Sequence, residues 1–283
     1  MPERYKIGFA NLSEVEEYSV IVRENLESLA AQDDAIELIM RDNDHNDAKA
    51  LANANEFAEK GVDLAIVYHI NERLGREIRS ILRTIPLISV DIPIPLSTYV
   101  GIDNIQMANM AAEVLLDWIK QKWGVLDKLL AVVDSRVLGQ VRERVTQATD
   151  RIEQEAIIAK SNSLFLDSRY TPEENYTNLY ETLHNWDEFN KIAVVAYNDQ
   201  TSLNALQVVQ DLNMEHKVVI VGHAASNIVI EKIKAQTPLI ASTLSYPEKY
   251  GTILLDIAKR MLNGEKIPAR NYVPLGILKS PAI

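Results

Sequence analysis

Residues 6–31, KIGFANLSEVEEYSVIVRENLESLAA, contain one strand-like run followed by one helical run. The first part, Lys6–Ala10, is a short, largely apolar run of the kind that forms a buried strand. In Val15–Ala31 the apolar side chains recur at a spacing of about 3.6 residues, with Val22 and Leu26 near one face. This order predicts the first half of a β-α-β unit.

The same alternation of short apolar runs and longer amphipathic runs continues to the end of the chain. Further strand-like runs are Ile36–Arg41, Val62–Tyr68, Ile85–Asp91, Lys128–Asp134, Lys191–Ala196, Lys217–Gly222 and Leu239–Thr243. Helical spacing is found in Asp47–Lys60, Asn71–Arg83, Gln106–Lys122, Gly139–Glu155, Pro172–His184, Gln200–Leu212, Asn227–Ala235 and Pro247–Leu262. Gly61 and Asn263-Gly264 follow two of these runs and are typical of helix ends. The pattern predicts an α/β protein with parallel sheets covered by helices on both faces.

The number of strands leaves the closure of the sheet open, because such units fit either one closed barrel or two open sheets. We favour two open sheets, since the connections after Asp91 and near Ser245 interrupt the alternation at widely separated points. Residues 91–104, DIPIPLSTYVGIDN, are long, proline-rich and irregular. We expect this segment to cross from one lobe to the other.

Composition narrows the class of protein further. The length of 283 residues is enough for about two domains. A formal net charge of −11 has the wrong sign for tight binding to a nucleic-acid backbone. The absence of cysteine excludes disulfides and thiolate chemistry. The start of the sequence has no apolar run typical of a signal peptide, so we expect either a cytoplasmic protein or a mature chain whose signal has been removed.

Sequence motifs of the common cofactor and catalytic sites are absent. None of the 10 glycines falls in a G-x-G-x-x-G or a G-x-x-x-x-G-K-[ST] motif, and neither G-x-S-x-G nor H-E-x-x-H occurs. The five histidines do not have the spacing of metal ligands. We therefore expect no cofactor, no metal and a binding protein rather than an enzyme.

One stretch is superficially similar to a calcium-binding loop. Residues 42–47, DNDHND, begin like such a loop, but Asp47 stands where glycine is required and Asn53 stands where glutamate is required. The simpler interpretation is a solvated turn in which Asn46 or Asp47 caps the following helix.

Several segments together resemble a known family. They are Lys6–Asn11, Ile85–Asp91, Val100–Asn104, Val141–Arg144, Ala196–Gln200, Val219–Gly222, Ser242–Pro247 and Leu262–Pro268. In order and spacing they resemble the periplasmic sugar-binding proteins of the ribose-binding type, and the effector-binding cores of lac-repressor-like regulators that share that fold. The resemblance covers nearly the whole chain.

The resemblance implies a type I periplasmic binding protein fold, with two Rossmann-like lobes joined by three hinge crossings. The N-terminal lobe would comprise residues 1–102 and 246–273, and the C-terminal lobe residues 103–245 and 274–283. A ligand would then bind between the lobes at the carboxyl ends of their strands, which agrees with the general rule for open α/β sheets. Hinge closure would couple binding to lobe motion.

The resemblance also implies a set of ligand-binding positions. They are Asn11, Tyr18, His69, Asp91, Arg142, Asn198, His223 and Ser245. Structural roles remain open for several of them: Asp91 could shape a turn, Arg142 could be an exposed residue of a first helical turn, and Asn198 could cap a helix. Both histidines could be ordinary surface imidazoles.

Two positions depart from the family pattern. Ile92 stands where the arginine partner of Asp91 is usual, and Gly222-His223-Ala224 lacks the usual carboxylate. These changes leave fewer side chains to hydrogen-bond with sugar hydroxyls. This matters because an unpaired buried polar group costs about 1–3 kcal/mol. We therefore expect a ligand other than plain ribose: a deoxy or modified sugar, another polyol or a nucleoside-like compound.

As function, the resemblance implies a bacterial solute-binding protein that captures a sugar-like molecule and delivers it to an ABC-type permease or a membrane receptor. Such a protein would be a monomer in the periplasm or outside the cytoplasm. The alternatives are the effector domain of a lac-repressor-like regulator, which would be cytoplasmic, and the ligand-sensing ectodomain of a membrane receptor. The regulator needs a helix-turn-helix before Lys6, so the full-length gene would separate these functions.

Overall fold

The computed structural model describes residues 4–133, 139–155, 162–168 and 171–281. In chain order the strands are β1 (Tyr5–Asn11), β2 (Ile36–Asp42), β3 (Leu64–Tyr68), β4 (Leu87–Val90), β5 (Thr98–Gly101), β6 (Lys128–Val133), β7 (Ser163–Asp167), β8 (Ile192–Ala196), β9 (Val218–His223), β10 (Leu239–Ser245), β11 (Arg270–Tyr272) and β12 (Leu275–Lys279). The helices are α1 (Glu17–Ala30), α2 (Asp47–Glu59), α3 (Gly75–Ile81), α4 (Asn104–Lys122), α5 (Gln140–Glu155), α6 (Pro172–His184), α7 (Asp199–Asp211), α8 (Asn227–Lys234) and α9 (Tyr250–Leu262).

The chain forms two compact units. The first comprises Met1–Ile102 and Tyr246–Pro274, and the second comprises Asp103–Ser245 and Leu275–Ile283. The chain therefore passes from one unit to the other after residues 102, 245 and 274. We call these three places the crossings.

Each unit contains one open six-stranded sheet. The strand order is β11-β5-β4-β3-β1-β2 in the first unit and β12-β10-β9-β8-β6-β7 in the second. All pairs are parallel except β10 with β12. The expectation of two α/β lobes with mostly parallel sheets is confirmed, and a single closed barrel is excluded.

Strand residues alternate between the two faces of each sheet, and each face is covered by helices. In the second unit Ala131 and Val133 pack into the core under α4 and α5. Their neighbours Leu130 and Val132 pack into a separate core under α6, α7 and α8. In the first unit Ala65 and Val67 face α2 and α3, while α1 and α9 pack together. Burial on both faces is the reason that these strands are almost continuously apolar.

Four strands were missed by the sequence analysis, and each has a weak local signal. β5 lies inside residues 91–104, so this segment is a loop followed by a strand, and the chain crosses only after Ile102. β7 is an edge strand with exposed side chains, among them Phe165 at 43%. The remaining two, β11 and β12, are also edge strands. Asp134, the predicted end of β6, lies outside the described residues.

The predicted helix ends are mostly confirmed. The Asn46 side chain accepts a hydrogen bond from the backbone N–H of Lys49, so the 42–47 stretch is the turn and N-cap that we expected. Gly61 and Gly264 follow α2 and α9 with positive φ values of 59° and 76°. These left-handed positions favour glycine because it has no Cβ.

The strand orders place a reversal of winding in each sheet. In the first sheet the chain runs from β1 to β2 in one direction and from β3 to β4 and β5 in the other. In the second sheet it runs from β6 to β7 in one direction and from β8 to β9 and β10 in the other. Open α/β sheets bind ligands outside the carboxyl ends of the strands at such a point. Side chains at the ends of these strands are therefore the first candidates for a functional site.

Candidate ligand-binding site

In the first unit, Asn11 and His69 flank the reversal point at the carboxyl ends of β1 and β3. Asn11 is fully buried, and its Nδ2 donates hydrogen bonds to Ser13 O at 2.8 Å and to Glu14 Oε1 at 3.0 Å. Among the described residues its Oδ1 has no hydrogen-bond partner. The ring nitrogens of His69, which is only 2% exposed, make no hydrogen bond of normal geometry there, although the backbone of Asn71 and Ile92 lies close to the ring. Buried polar atoms in proteins are nearly always paired, so these atoms point to a bound polar partner.

Asn43 fixes the relative position of these two strand ends. Its backbone N–H donates to Asn11 O at 2.9 Å, and its Nδ2 donates to Tyr68 O at 2.8 Å. A cavity of about 10 Å³ beside His69 has room for a single water molecule at most. Burial lowers the pKa of His69 to about 4, so the imidazole is neutral at physiological pH and offers one donor and one acceptor.

Asp91 lies in a cluster of tyrosines. It directly follows β4 with a φ of 57°, and its Oδ1 accepts a hydrogen bond from the Tyr250 hydroxyl at 2.6 Å. The Tyr68 hydroxyl also hydrogen-bonds to Asp91. Tyr18 packs edge-on against Tyr250, with ring centroids 6.0 Å apart. The structure thus brings two predicted residues, Tyr18 and Asp91, into one cluster with Tyr68 and Tyr250, which sequence reasoning did not identify.

The charge state of this cluster follows from its burial. Desolvation, with the nearby Asp91 carboxylate as a second cause, raises the pKa of Tyr68 and of Tyr250 well above the usual range of a phenol. Both hydroxyls therefore remain protonated donors. Ile92, the residue after Asp91, is buried, with 8% exposure. It adds no second charge at the position where the family usually has an arginine.

In the second unit, His223 ends β9 and is completely buried. Its Nδ1 lies 2.6 Å from Thr243 Oγ1 on the neighbouring strand. Its Nε2 makes no hydrogen bond of normal geometry with the described residues, although the Arg144 backbone lies close by. Burial is the main cause that lowers the pKa of His223 to about 3, and the charge of Arg144 adds to this shift. This second imidazole is therefore also neutral, and it is not a surface histidine.

Arg144 lies beside His223, and the sequence analysis did not identify it. Its Nε and Nη2 donate to Asn104 Oδ1 at 3.0 and 2.8 Å, and its guanidinium lies 5.6 Å from the Tyr197 ring centroid. The predicted Arg142 is half-buried on the same helix, α5. Two residues correspond to about 200° of rotation around a helix, so the two arginines point in different directions. The Arg-Glu-Arg stretch was the available signal, but it does not indicate which arginine approaches His223.

Asn198 caps α7, which was the structural alternative left open for it. Its Oδ1 accepts from the Thr201 N–H at 3.0 Å, while Thr201 Oγ1 accepts from the Asn198 N–H at 3.0 Å. A role in ligand binding stays a prediction, as it does for the other seven positions. Ser245 is the last residue of β10 and is half-buried.

Asp199 was also missed, and it holds the loop that follows His223. Its carboxylate accepts hydrogen bonds from the backbone N–H of Ala225 at 2.9 Å and of Ser226 at 2.6 Å. Burial raises the pKa of this carboxyl. Ala224 and Ala225 have positive φ values of 104° and 58°, which alanine rarely adopts, so the two hydrogen bonds stabilise a strained backbone.

A larger cavity of about 440 Å³ lies elsewhere in the second unit. It is lined by residues that include Trp118, Trp123 and Val218. Val218 begins β9, so this cavity is at the opposite end of the strands from His223.

In the described part of the chain, no group of three or more His, Asp or Glu side chains could hold a metal ion. Nor does any helix there have the length and apolar character needed to cross a membrane.

Comparison with known proteins identifies relatives of the chain. A family described as periplasmic binding protein domain matches residues 7–266. Among curated proteins, no sequence matches.

Solved structures with similar folds cover nearly the whole chain. An ABC transporter solute binding protein from Bacillus halodurans with bound myo-inositol has a TM-score of 0.81 at 19% identity, and the match covers 99% of this chain and 96% of that one. A solute binding protein from Actinobacillus succinogenes with bound D-allose has a TM-score of 0.78 at 19% identity, covering 98% of both chains. A periplasmic ribose ABC transporter protein from Conexibacter woesei has a TM-score of 0.83 at 16% identity, covering 98% and 93%. At these identities the similarity establishes the fold.

Proposed function

Because the chain belongs to the periplasmic binding protein domain family, we propose that it is a solute-binding protein for a sugar, a modified sugar or another small polyol. It would deliver this ligand to an ABC-type permease. The bound myo-inositol and D-allose of two structural neighbours support a polyhydroxylated ligand. A binding protein of this kind would work outside the cytoplasm, as a monomer, and would release its ligand chemically unchanged.

The observation that carries this proposal is a set of unpaired buried polar atoms at the carboxyl ends of both sheets. Within the described residues they are Asn11 Oδ1 and Nε2 of His223, which make no hydrogen bond of normal geometry. Each would cost about 1–3 kcal/mol if it stayed unpaired. Hydroxyl groups are suitable partners because each one can donate and accept a hydrogen bond.

The charge of these groups favours a neutral ligand. Burial lowers the pKa values of His69 and His223 to about 4 and about 3, so neither carries a charge at neutral pH. Asp91 and Arg142 would complete the site with one acceptor and one set of donors. Tyr18, Asn198 and Ser245 would add an aromatic wall and further polar contacts. As the resemblance implies, hinge motion at the three crossings would accompany binding.

A thermal-shift screen tests the proposal, with isothermal titration calorimetry on every hit. The panel contains D-ribose, 2-deoxyribose, D-allose, myo-inositol, adenosine and, as charged controls, ribose 5-phosphate and lysine. A ligand present at a thousandfold its dissociation constant adds about 4 kcal/mol to the free energy of unfolding, which is a shift of several degrees for a chain of this size. We expect a neutral polyol to give the largest shift.

Two variants locate the site if a hit is found. His223→Gln removes the buried imidazole of the proposed site, and His216→Gln alters an exposed histidine at the other end of β9. We expect the first to weaken binding at least tenfold and the second to leave it unchanged. No shift with any neutral compound, or strong binding of the phosphorylated sugar alone, would contradict the proposal.

A further inference from the structure

The Asp91 carboxylate is packed against the residues that precede the first crossing. Its backbone N–H donates to Val100 O at 3.0 Å. A Cβ atom added to Gly101 would lie 2.7 Å from Asp91 Oδ1 and 2.5 Å from the Tyr99 hydroxyl oxygen, so only glycine allows this approach. The Tyr99 hydroxyl in turn donates to Ile102 O at 3.1 Å. Ile102 is the last residue of the first unit before the crossing.

Near the second crossing Tyr250 bonds the same carboxylate, and near the third the backbone bonds Gly101, which lies beside it. Tyr250, whose hydroxyl donates to Asp91 Oδ1 at 2.6 Å, begins α9 four residues after the chain re-enters this unit at Tyr246. Tyr250 is completely buried. Near the third crossing, the Val273 N–H donates to Gly101 O at 2.9 Å, and the chain leaves the unit after Pro274. Each of the three crossings therefore lies within a few residues of a contact with Asp91 or with Gly101 beside it.

We propose that Asp91 is a positioning residue that connects ligand binding to the three crossings through Tyr250 and Gly101. This inference rests on the proposed function, in which Asp91 accepts a hydrogen bond from the ligand. The Tyr250 hydroxyl holds the carboxylate in place against Gly101, and the Asp91 backbone N–H holds Val100, just before the first crossing. A ligand hydroxyl that binds Asp91 alters this hydrogen-bond set, so the set differs between the bound and the free protein.

The physical requirement for such a role is a difference in interaction between two states. A ligand shifts a conformational equilibrium only through contacts that differ between the states. The φ of 57° at Asp91 is a conformation that residues other than glycine rarely adopt, and it persists only where the surroundings hold it. Loss of the Tyr250 hydrogen bond therefore removes one of the contacts that fix the arrangement of the crossings.

The absence of cysteine in the sequence makes a spectroscopic test direct. Cysteines introduced at the exposed positions Thr84, in the first unit, and Lys234, in the second, carry spin labels without background labelling. Pulsed electron paramagnetic resonance then gives the distribution of distances between the labels in the ligand-free protein. With Tyr250→Phe we expect a broader distribution with a shifted maximum.

The chain offers a matched control. The Tyr176 hydroxyl donates to Asp211 Oδ2 at 2.6 Å, the same length as the bond from Tyr250 to Asp91, but this pair joins α6 to α7 in the second unit. Tyr176→Phe should leave the distance distribution unchanged. A merely structural role of Tyr250 would lower the unfolding temperature without changing the distribution. Identical distributions for the parent protein and Tyr250→Phe would overturn the proposal.

A second variant guards against loss of folding. Asp91→Asn keeps the shape of the side chain but weakens the hydrogen bond from Tyr250, and we expect the same broadening from it. If Tyr250→Phe does not fold, an unchanged distribution in Asp91→Asn overturns the proposal. The measurement needs no ligand, so it remains decisive if the sugar screen fails. Conversely, sugar binding with unchanged distributions would support the proposed function and reject the role of Asp91.

Discussion

His223 Nδ1 lies 2.6 Å from Thr243 Oγ1, and this contact joins the ends of two neighbouring parallel strands. Because the imidazole is neutral, one ring nitrogen carries a hydrogen and the other does not. The threonine hydroxyl can satisfy either form of Nδ1 by donating or accepting. Nε2, which makes no hydrogen bond of normal geometry with the described residues, then has the complementary role. With Nδ1 bonded to Thr243, this buried imidazole keeps Nε2 to form a hydrogen bond with a hydroxyl group.

The buried histidines predict a loss of stability in mild acid. His69 and His223 have pKa values of about 4 and about 3 in the folded chain, against 6.5 in the unfolded chain. Below pH 6.5 the unfolded chain therefore binds protons that the folded chain does not bind, and the free energy of unfolding falls as the pH falls. For each imidazole the slope rises from about half of 1.4 kcal/mol per pH unit at pH 6.5 towards about 1.4 kcal/mol per pH unit at pH 5. Urea unfolding at several values between pH 6.5 and 5 measures this slope.

Two variants assign the slope to the buried imidazoles. His223→Gln should lower it by about half, since one of two titrating groups is lost. His216→Gln, at an exposed position, should keep the slope of the parent protein. The raised pKa of Asp199 acts with the opposite sign, but it is common to all these proteins. A slope that His223→Gln leaves unchanged would show that this imidazole is not protected from protonation by burial.

Arg144 and Arg142 should have separable effects. Arg144→Gln removes the hydrogen bonds that satisfy Oδ1 of the buried Asn104, so we expect a loss of about 1–3 kcal/mol in the free energy of unfolding. Arg142→Gln should change the free energy of unfolding by less than about 0.5 kcal/mol but weaken the binding of the ligand identified in the screen. Urea unfolding and calorimetric titration of both variants provide the test. The opposite pattern would assign ligand contact to Arg144 instead.

Gly222 should not tolerate a side chain, because α7 approaches β9 closely there. A Cβ at Gly222 would clash with Ser202 Oγ and lie 3.2 Å from Ser202 Cβ. We expect Gly222→Ala to lower the free energy of unfolding by about 1–3 kcal/mol. Ser202→Ala alone loses the hydrogen bond to Asn198 O at 2.8 Å, worth about 1 kcal/mol. The double variant should lose less free energy of unfolding than the sum of the two single losses. Strict additivity would refute the close approach.

Gln236 is a position where glycine should stabilise the protein. It follows α8 with a φ of 57°, and its N–H donates to Ile233 O at 3.1 Å, as in a left-handed helix end. We expect Gln236→Gly to raise the free energy of unfolding by about 1 kcal/mol, measured by urea unfolding. Lys234→Gly, inside the last turn, should lower it by a similar amount because glycine is a poor helix former. Equal effects of the two substitutions would contradict the assigned conformation.

The sequence predicted most of the elements whose signal is local. Strands such as β3 and β8 are buried on both faces, so their apolar runs stand out in the sequence, and Gly61 and Gly264 mark helix ends that the backbone requires. The edge strands were missed because their local signal is weak. β7 exposes side chains at the edge of its sheet, and its composition alone does not distinguish it from a loop.

The sequence by itself determined the class of fold, because periodicity and the order of elements are local properties of the chain. It also predicted the strand ends at which a ligand site would form. It did not determine the partners of those residues. That Asp91 accepts from Tyr250, 159 positions away, and that Arg144 rather than Arg142 approaches His223, were decided only by the tertiary structure. Hydrogen bonds between distant segments depend on how helices rotate and pack, and no spacing in the sequence records that rotation.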